Sequence, residues 1–460
     1  MSGAKGLVIA GLSGGSGKSV VAVGVAAALA EQGLKIAPFK KGPDYIDAGW
    51  LQLAAGVPCH NLDQYMMDSQ VITRSCAEHA RDADMVIVEG NRGLFDGVDV
   101  TGSYSTAELA AILKLPVLLA IDCTKTTRTV AAMVLGCQQL GTGIDIRGVV
   151  LNRIGSARHE RVVRQAVEYY TDVKVAGVIP RLARDVFPQR HIGITPCPEY
   201  AGAQEAVRSL AQSVREQVDL QLVTELAGPL SLVRGETSIY DTWAHSAGVK
   251  VRIGVIRDAA FQFYYPENLR ALELCGAELV EINALLAAEL PQIDGLYIGG
   301  GFPETSVKQL AANSSFRQAL RARIEQGLPV YAECGGLIYL GETLEVDGES
   351  YPLTGVFPVK FRMEKKPQAH GYTILEALDN NPVYAAGFEM KGHEFRYSKV
   401  LSWSGNLKDL AFRMKRGVGF AEGRDGLVHK NCLALYSHVH ALGTPEWPGD
   451  FVRKVRESKR

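Results

Sequence analysis

No apolar run in these 460 residues approaches the roughly 18 that a membrane-spanning helix needs, so none is expected. Neither sign of charge is in excess. With 49 Lys+Arg against 50 Asp+Glu the formal net charge is −1, which argues against a general affinity for nucleic acid or for an anionic membrane surface. The eight cysteines (Cys59, Cys76, Cys123, Cys137, Cys197, Cys275, Cys334 and Cys432) are scattered, with no CxxC pair. That removes the usual signature of a zinc site or dithiol redox centre, and free, mostly packed thiols are expected. Short-period repeats and low-complexity tracts are absent. The opening MSGAKGLVIAGLSGG lacks the basic, apolar, small-residue order of a secretion signal, so a cytoplasmic location is expected.

What is present is a long, ordinary globular composition, 47% hydrophobic and 22% charged, with too many residues for one core. The first half alternates apolar strand-like runs (GLVIAG, LKIAPF, DMVIVEG, LPVLLAI, IRGVVLNR, VKVAGVIP) with longer helical patterns. Strands apolar on both faces and separated by helices predict a parallel sheet covered on both sides. Residues 201–248 read as a connecting helix and a polar linker. A second alternating series starts at VRIGVI and passes into shorter mixed β segments after Gly355. The expected organisation is therefore 1–200, 201–248 as connector, 249–445, and a charged, frayed tail at 446–460.

GLSGGSGKS follows a strand and opens a helix, the context in which a glycine loop cradles phosphate. Leu12 stands where the first glycine of GxxxxGK[ST] belongs, so the loop is the GGxGK[ST] variant. Ser13, Gly14, Gly15, Ser16 and Gly17 offer backbone amides, Lys18 a point charge, and Ser19 a hydroxyl for Mg²⁺. Carboxylates at neighbouring strand ends complete such a site. FKKGPDYID supplies Asp44 and Asp47 beside Lys40 and Lys41, and VIVEGNRGLFDG supplies Glu89 and Asp96.

VYAECGGLIYLG is strand, sharp turn, helix, the geometry of a nucleophile elbow, and Cys334 sits at the turn. A helix N-terminus there favours a thiolate. LALYSHVHA brings His438 as base, with His440 on the same face by period two as second choice. LYIGGGFPE brings Gly299, Gly300 and Gly301 as amide donors to an oxyanion. Class I glutamine amidotransferases carry His-x-Glu here. In this chain the Glu position holds His440, so no acidic member of a triad is legible.

Together SGGSGKS, KGPDYID, VEGNRGLFDG, DCTKTTRTVAAMVLG, LNRIGS, RHIG, DAAFQFYYPENL, GGGFPE, ECGGLIYL and GHEFRYS span nearly the whole chain. On them the sequence resembles the cobyrinic acid a,c-diamide synthase family, in the wider group that includes cobyric acid synthase and dethiobiotin synthetase. The resemblance implies an α/β fold: an N-terminal P-loop, dethiobiotin synthetase-like doubly wound parallel sheet binding ATP and a tetrapyrrole, and a C-terminal class I-like glutamine amidotransferase domain. It implies glutamine hydrolysis at Cys334, ammonia passing to a carboxylate activated by ATP as an acyl phosphate, and Mg²⁺ at Ser19, Asp44 and Glu89. It implies adenine near Asn152 and substrate contacts from Lys41, Tyr45, Ile46, Asp47, Arg92 and Asp96, with Gly300 and Gly301 in the glutamine site. Arg92, Arg396, Lys125 and Arg128 depart from the usual pattern or add charge to it. Arg92 is read as a substrate-carboxylate contact, and Lys125 and Arg128 as charges that could face the macrocycle. Relatives of the synthetase domain often pair, so a homodimer is expected, with no nucleic acid or membrane partner.

Three other readings follow from the same residues. Ni-sirohydrochlorin or hydrogenobyrinic acid could be the tetrapyrrole. A deviant P-loop switch acting by nucleotide-dependent dimerisation predicts Lys in place of Ser13 and leaves ECGG and SHVH unexplained. A glutaminase-like binding module with a dead site predicts no glutamate release.

Overall fold

Apolar β-rich runs between Ala-rich helices assemble into a seven-strand parallel sheet. Its order is His60–Leu62, Ile36–Lys41, Met85–Gly93, Lys5–Gly11, Val117–Asp122, Ile146–Ile154, Lys174–Pro180. Gly228–Pro229 adds a short antiparallel pairing to Lys5–Gly6. The P-loop strand lies at the centre, where connections depart to both sides, and ligands bind at such a switch point beyond the strand ends. In the computed structural model, residues 4–140, 143–181, 189–190, 193–231, 237–244 and 249–459 are described. His191 and Ile192 of RHIG lie outside them. The chain divides into two units, Met1–Ile239 and Tyr240–Arg460.

Two segments differ from the expectation. Helix Ala203–Gln217, read as a connector, is core to the first unit: Val207, Leu210, Ala211 and Val214 are buried in one cluster with Val21–Leu29 of the P-loop helix. The P-loop helix is apolar all round, so one face needs the sheet and the other needs a second helix. The supposed frayed tail is likewise ordered. Glu446–Ser458 is a helix whose Trp447, Phe451, Val452 and Val455 are buried, an apolar stripe at i, i+4, i+5, i+8 that the charged residues between them obscure. Trp447 packs 5.4 Å from the rings of Tyr297 and Tyr331.

The second unit holds a nine-strand sheet, parallel over Ala277–Ile282, Val251–Ile256, Gly295–Ile298, Val330–Glu333 and Cys432–Leu435, then antiparallel through Arg424–His429, Leu410–Arg416, Ala369–Ala377 and Glu389–Arg396. A four-strand sheet formed by Glu349–Pro352, Thr343–Val346, Val359–Met363 and Ser398–Trp403 accompanies it. Among the described residues no helix is long and apolar enough to cross a membrane.

Candidate active sites

In the first unit the parallel register sets the chemistry. Ile36–Lys41 pairs with Met85–Gly93 so that Lys40 lies opposite Glu89, and side chains opposite each other in register share a face. Period two then sends Lys41 to the other face. Lys40 is fully buried and its Nζ lies 2.6 Å from Asp47, 3.1 Å from Glu89 and 3.9 Å from Asp44. It also donates to the Gly90 carbonyl at 3.1 Å. The sequence sets both Lys40 and Lys41 beside the acids, and only Lys41 is given a role there, as a substrate contact. The signal was there, a lysine one residue inside the end of an apolar strand, but only the register decides which lysine meets the acids.

Ser19 Oγ donates to Glu89 Oε1 at 2.7 Å and lies 3.5 Å from Asp47. Asp44 caps helix Tyr45–Ala55 by accepting from the Ile46 and Asp47 amides at 2.9 and 3.2 Å. Tyr45 and Ile46 form the first turn of that helix and are half-buried. Burial and the neighbouring Asp47 charge raise Asp44 to about 6 and Glu89 to about 7. Burial also pushes Asp47 up, but Lys40 and Lys18 outweigh it and hold Asp47 below the usual carboxylate range. Burial works against a charged Lys40, and Asp47, Glu89 and Asp44 overcome it. Buried Glu89 Oε2 has no hydrogen-bond partner among the described residues. A hydroxyl, clustered carboxylates and an orphaned carboxylate oxygen suit a hard, oxygen-seeking divalent cation.

Ser13, Gly14 and Gly15 are exposed at the loop tip, while Ser16 and Lys18 are buried. Asn152 braces the loop: its amide donates to the Ser16 carbonyl at 3.0 Å, and its Oδ1 accepts from the Arg153 amide. Lys41 is buried, and burial lowers it even though Asp63 pulls the other way. Arg92 is exposed with a positive φ of 52°. Asp96 closes its own turn by accepting from the Gly93 amide at 2.9 Å. Lys125 and Arg128 are exposed. Arg396 is instead buried, donating to the Ser398 and Gly419 carbonyls at 2.7 Å each and lying 4.0 Å over the Tyr436 ring, so its work is to hold the fold.

In the second unit Cys334 follows strand Val330–Glu333 and precedes helix Gly335–Tyr339 with φ 45° and ψ −94°. A non-glycine residue there costs about 1–3 kcal/mol, and such strain is tolerated where surrounding structure over-determines it. The helix has only five residues, so the turn geometry matters more here than the dipole. Cys334 Sγ lies 3.9 Å from the Phe395 carbonyl, and the nearby thiol is one of the groups that raise His438. Its ring is walled by Phe263 at 4.4 Å and His393 at 5.0 Å. Its backbone is tied to His393 of the GHEF strand by two hydrogen bonds of 3.1 and 2.8 Å.

The glycine loop lies against this pair. A Cβ on Gly300 would stand 2.4 Å from His438 Cε1, and Gly301 has φ 150° with its Cβ direction blocked 2.2 Å away by the Ala260 carbonyl. Glycine is required at both. The Gly301 amide nitrogen lies 3.1 Å from where a Gly335 Cβ would be, placing two backbone N–H groups beside the elbow. The Gly299 amide already donates to Tyr264 at 2.8 Å.

His440 has its ring nitrogens engaged away from the elbow. Strand pairing ends at Leu435 and His438 makes only an isolated bridge, so the period-two argument fails. His440 Nδ1 accepts from the Leu442 amide at 3.2 Å and Nε2 faces Glu267 at 3.5 Å. A carboxylate does reach His438. Glu333, the residue before the nucleophile, lies 3.2 Å from His438 Nδ1. Two residues beyond the histidine the sequence offers no acid, and a contact with Glu333 is not legible from spacing. The available signal was a carboxylate ending an otherwise apolar buried strand.

Each arrangement falls within a domain that matches a known family. Residues 7–191 match the CobQ/CobB/MinD/ParA nucleotide binding domain, and residues 252–446 match the CobB/CobQ-like glutamine amidotransferase domain. The cobyrinate a,c-diamide synthase of Magnetococcus marinus is 41% identical over 445 residues, covering 96% of this chain and 95% of that protein. Those of Archaeoglobus fulgidus and Methanosphaera stadtmanae are 38% and 37% identical, covering 98% and 99% of this chain and 98% and 100% of theirs. With a P-loop unit, a glutamine amidotransferase unit and relatives matched end to end, the chain belongs to the cobyrinate a,c-diamide synthase family of amide-forming ligases.

Proposed function

We propose that this enzyme converts the a- and c-acetate carboxylates of cobyrinic acid to amides, using glutamine as nitrogen donor and ATP as activator. The observation that carries the reading is the end-to-end similarity to cobyrinate a,c-diamide synthases in a chain that holds both a P-loop carboxylate cluster and a Cys–His pair. A carboxylate is a poor electrophile, so amide formation requires activation, and a thiol amidase alone would yield only free ammonia. The two sites explain each other.

At the thiol site, Cys334 Sγ attacks the glutamine carboxamide carbon. The backbone N–H groups of Gly301 and Gly335 receive the developing oxyanion, with Gly300 leaving room for the imidazole. His438 carries the thiol proton and delivers it to the departing ammonia. Water, deprotonated by the same imidazole, then releases glutamate from the thioester. At the P-loop site the amides of 13–17 and the Lys18 ammonium hold the triphosphate. Ser19, Asp44 and Glu89, with Asp47, would hold Mg²⁺, which supplies charge neutralisation on the phosphates. Asn152 keeps the loop shaped next to the adenine. The substrate carboxylate attacks the γ-phosphorus, ADP leaves, and ammonia displaces phosphate from the acyl phosphate. Lys41, Tyr45, Ile46, Arg92 and Asp96 line the strand ends where the tetrapyrrole carboxylates are received.

Mass spectrometry of cobyrinate incubated with enzyme, ATP, Mg²⁺ and glutamine tests this. Each acid converted to an amide lowers the mass by about 1 Da, and two such steps are expected. Turnover of Ni-sirohydrochlorin with none of cobyrinate would overturn the substrate assignment.

The carboxylate cluster also predicts a pH-dependent response to metal. Glu89 and Asp44 stand above their unfolded values. In the metal-free protein the stability linked to them is present at low pH and lost as pH rises through about 6 to 7. Mg²⁺ competes with those protons. The increase in Tm on adding Mg²⁺ is therefore expected to be larger at about pH 8 than at about pH 5.5, as read by calorimetry. Equal increases at both would contradict the cluster as the metal site.

A further inference from the structure

We propose that Glu333, the residue immediately before the nucleophile, is the orienting acid of the thiol site and selects the His438 tautomer that can take the Cys334 proton. The inference deepens the thiol-site reading above and rests on it.

Strand Val330–Glu333 runs parallel to Cys432–Leu435 with Glu333 opposite Leu435. The strand end that presents the carboxylate thus lies beside the segment that carries His438 three residues later. Glu333 is 2% exposed and His438 3%. A buried carboxylate needs partners, and this one has three: His438 Nδ1 at 3.2 Å and Tyr297 Oη at 3.4 Å on Oε2, and the Val439 amide at 3.4 Å on Oε1. Asn268 fixes the rest. Its amide donates to Tyr297 Oη at 3.4 Å, so the tyrosine hydroxyl can donate onward to Glu333. The same amide donates to the Val439 carbonyl at 2.9 Å, and Asn268 Oδ1 accepts from the Ala441 amide at 2.7 Å. The FYYPENL segment is thereby tied to the backbone on both sides of His440.

A carboxylate can only accept, so His438 Nδ1 carries its proton toward Glu333, and Nε2 is the nitrogen that takes the thiol proton, the resulting imidazolium being held by Glu333. The titratable groups that meet the imidazole include Cys334 and Glu333, with His393 stacked 5.0 Å away. Burial and the His438 charge keep His393 far below the ordinary imidazole range, so it adds no charge. Burial opposes a charged His438, but the hydrogen bonds to Cys334 and Glu333 raise it to about 9.

Glu333→Gln is the discriminating change. The Val439 amide needs an oxygen at the Oε1 position, which turns the new NH2 toward His438 Nδ1. That donor disfavours a proton on Nδ1, so it destabilises the imidazolium and favours the neutral tautomer that cannot accept from the thiol. Glutamine-hydrolysis kcat is expected to fall about 10²- to 10⁴-fold with KM for glutamine little changed. The alkaline limb of the pH profile should move below about 9, while ammonia-dependent synthesis persists as the measure of an intact fold. Glu333→Asp, which keeps a carboxylate, should fall between the two and retain the higher alkaline limb. If both variants keep wild-type kcat and an unmoved alkaline limb while Cys334→Ala loses all glutamine use, Glu333 does not orient the base. If Cys334→Ala itself still uses glutamine, the thiol-site reading fails first.

Discussion

Cys334→Ala is expected to remove glutamine-dependent amide formation, by a factor on the order of 10⁴ or more, and to leave ammonia-dependent formation close to wild type. The substitution takes away one sulfur from a buried site and leaves the P-loop unit untouched. It also replaces a residue held at φ 45° with one no better suited to that conformation, so stability should change little. The comparison to run is initial rate with glutamine against initial rate with ammonium at elevated pH. Loss of both activities in a folded variant would mean that Cys334 supports the synthetase chemistry itself. Retention of both would mean that the thiol is a packed cysteine. A nucleotide-dependent switch makes a different forecast, in which ATP hydrolysis ignores glutamine altogether.

Lys40→Met should destabilise the protein by about 3–5 kcal/mol near neutral pH, the usual cost of leaving buried charge uncompensated. Lys40 is the cation in ion-pair contact with Asp44, Asp47 and Glu89, and no part of its side chain is exposed. Without it, the carboxylates can recover only by taking up protons or binding a metal. The deficit should therefore shrink toward about pH 5, where Glu89 and Asp44 are protonated, and shrink again on adding Mg²⁺. Chemical denaturation of the whole chain at two pH values, with and without Mg²⁺, measures it. A deficit below about 1 kcal/mol at neutral pH, or one that ignores both pH and Mg²⁺, would show that Lys40 is not what balances the cluster.

Both predictions rest on residues of differing legibility. Cys334 and His438 could be read because a strand, a Cys-Gly-Gly turn and a later histidine form a local pattern. Lys18, Ser19 and Asp44 could be read because each follows an apolar strand, and Glu89 because it ends the apolar stretch of one. Lys40 could not be told from Lys41, since only cross-strand register puts one of two adjacent lysines on the acidic face. Glu333 was hidden by proximity: it neighbours the nucleophile in sequence yet acts on a histidine 105 residues away. His440 misled because period two was extended past the last paired residue of its strand. The helix Ala203–Gln217 was recognised as a helix but not as core, because its need arises from the other helix it covers. The C-terminal helix was hidden by the charges on its outer face. In each case the misplaced residue depends on a tertiary partner, whereas the residues found by sequence depend on their own strand or turn.

On the proposed function, one chain couples glutamine hydrolysis to ATP-driven amidation. The same mass-spectrometric reaction tests it most directly when ADP and glutamate are counted alongside the amides. The account predicts one ADP and one glutamate for each amide formed, with no amide when ATP is omitted. Amide formation without ATP, or glutamate and ADP released with no change in the mass of the tetrapyrrole, would contradict it.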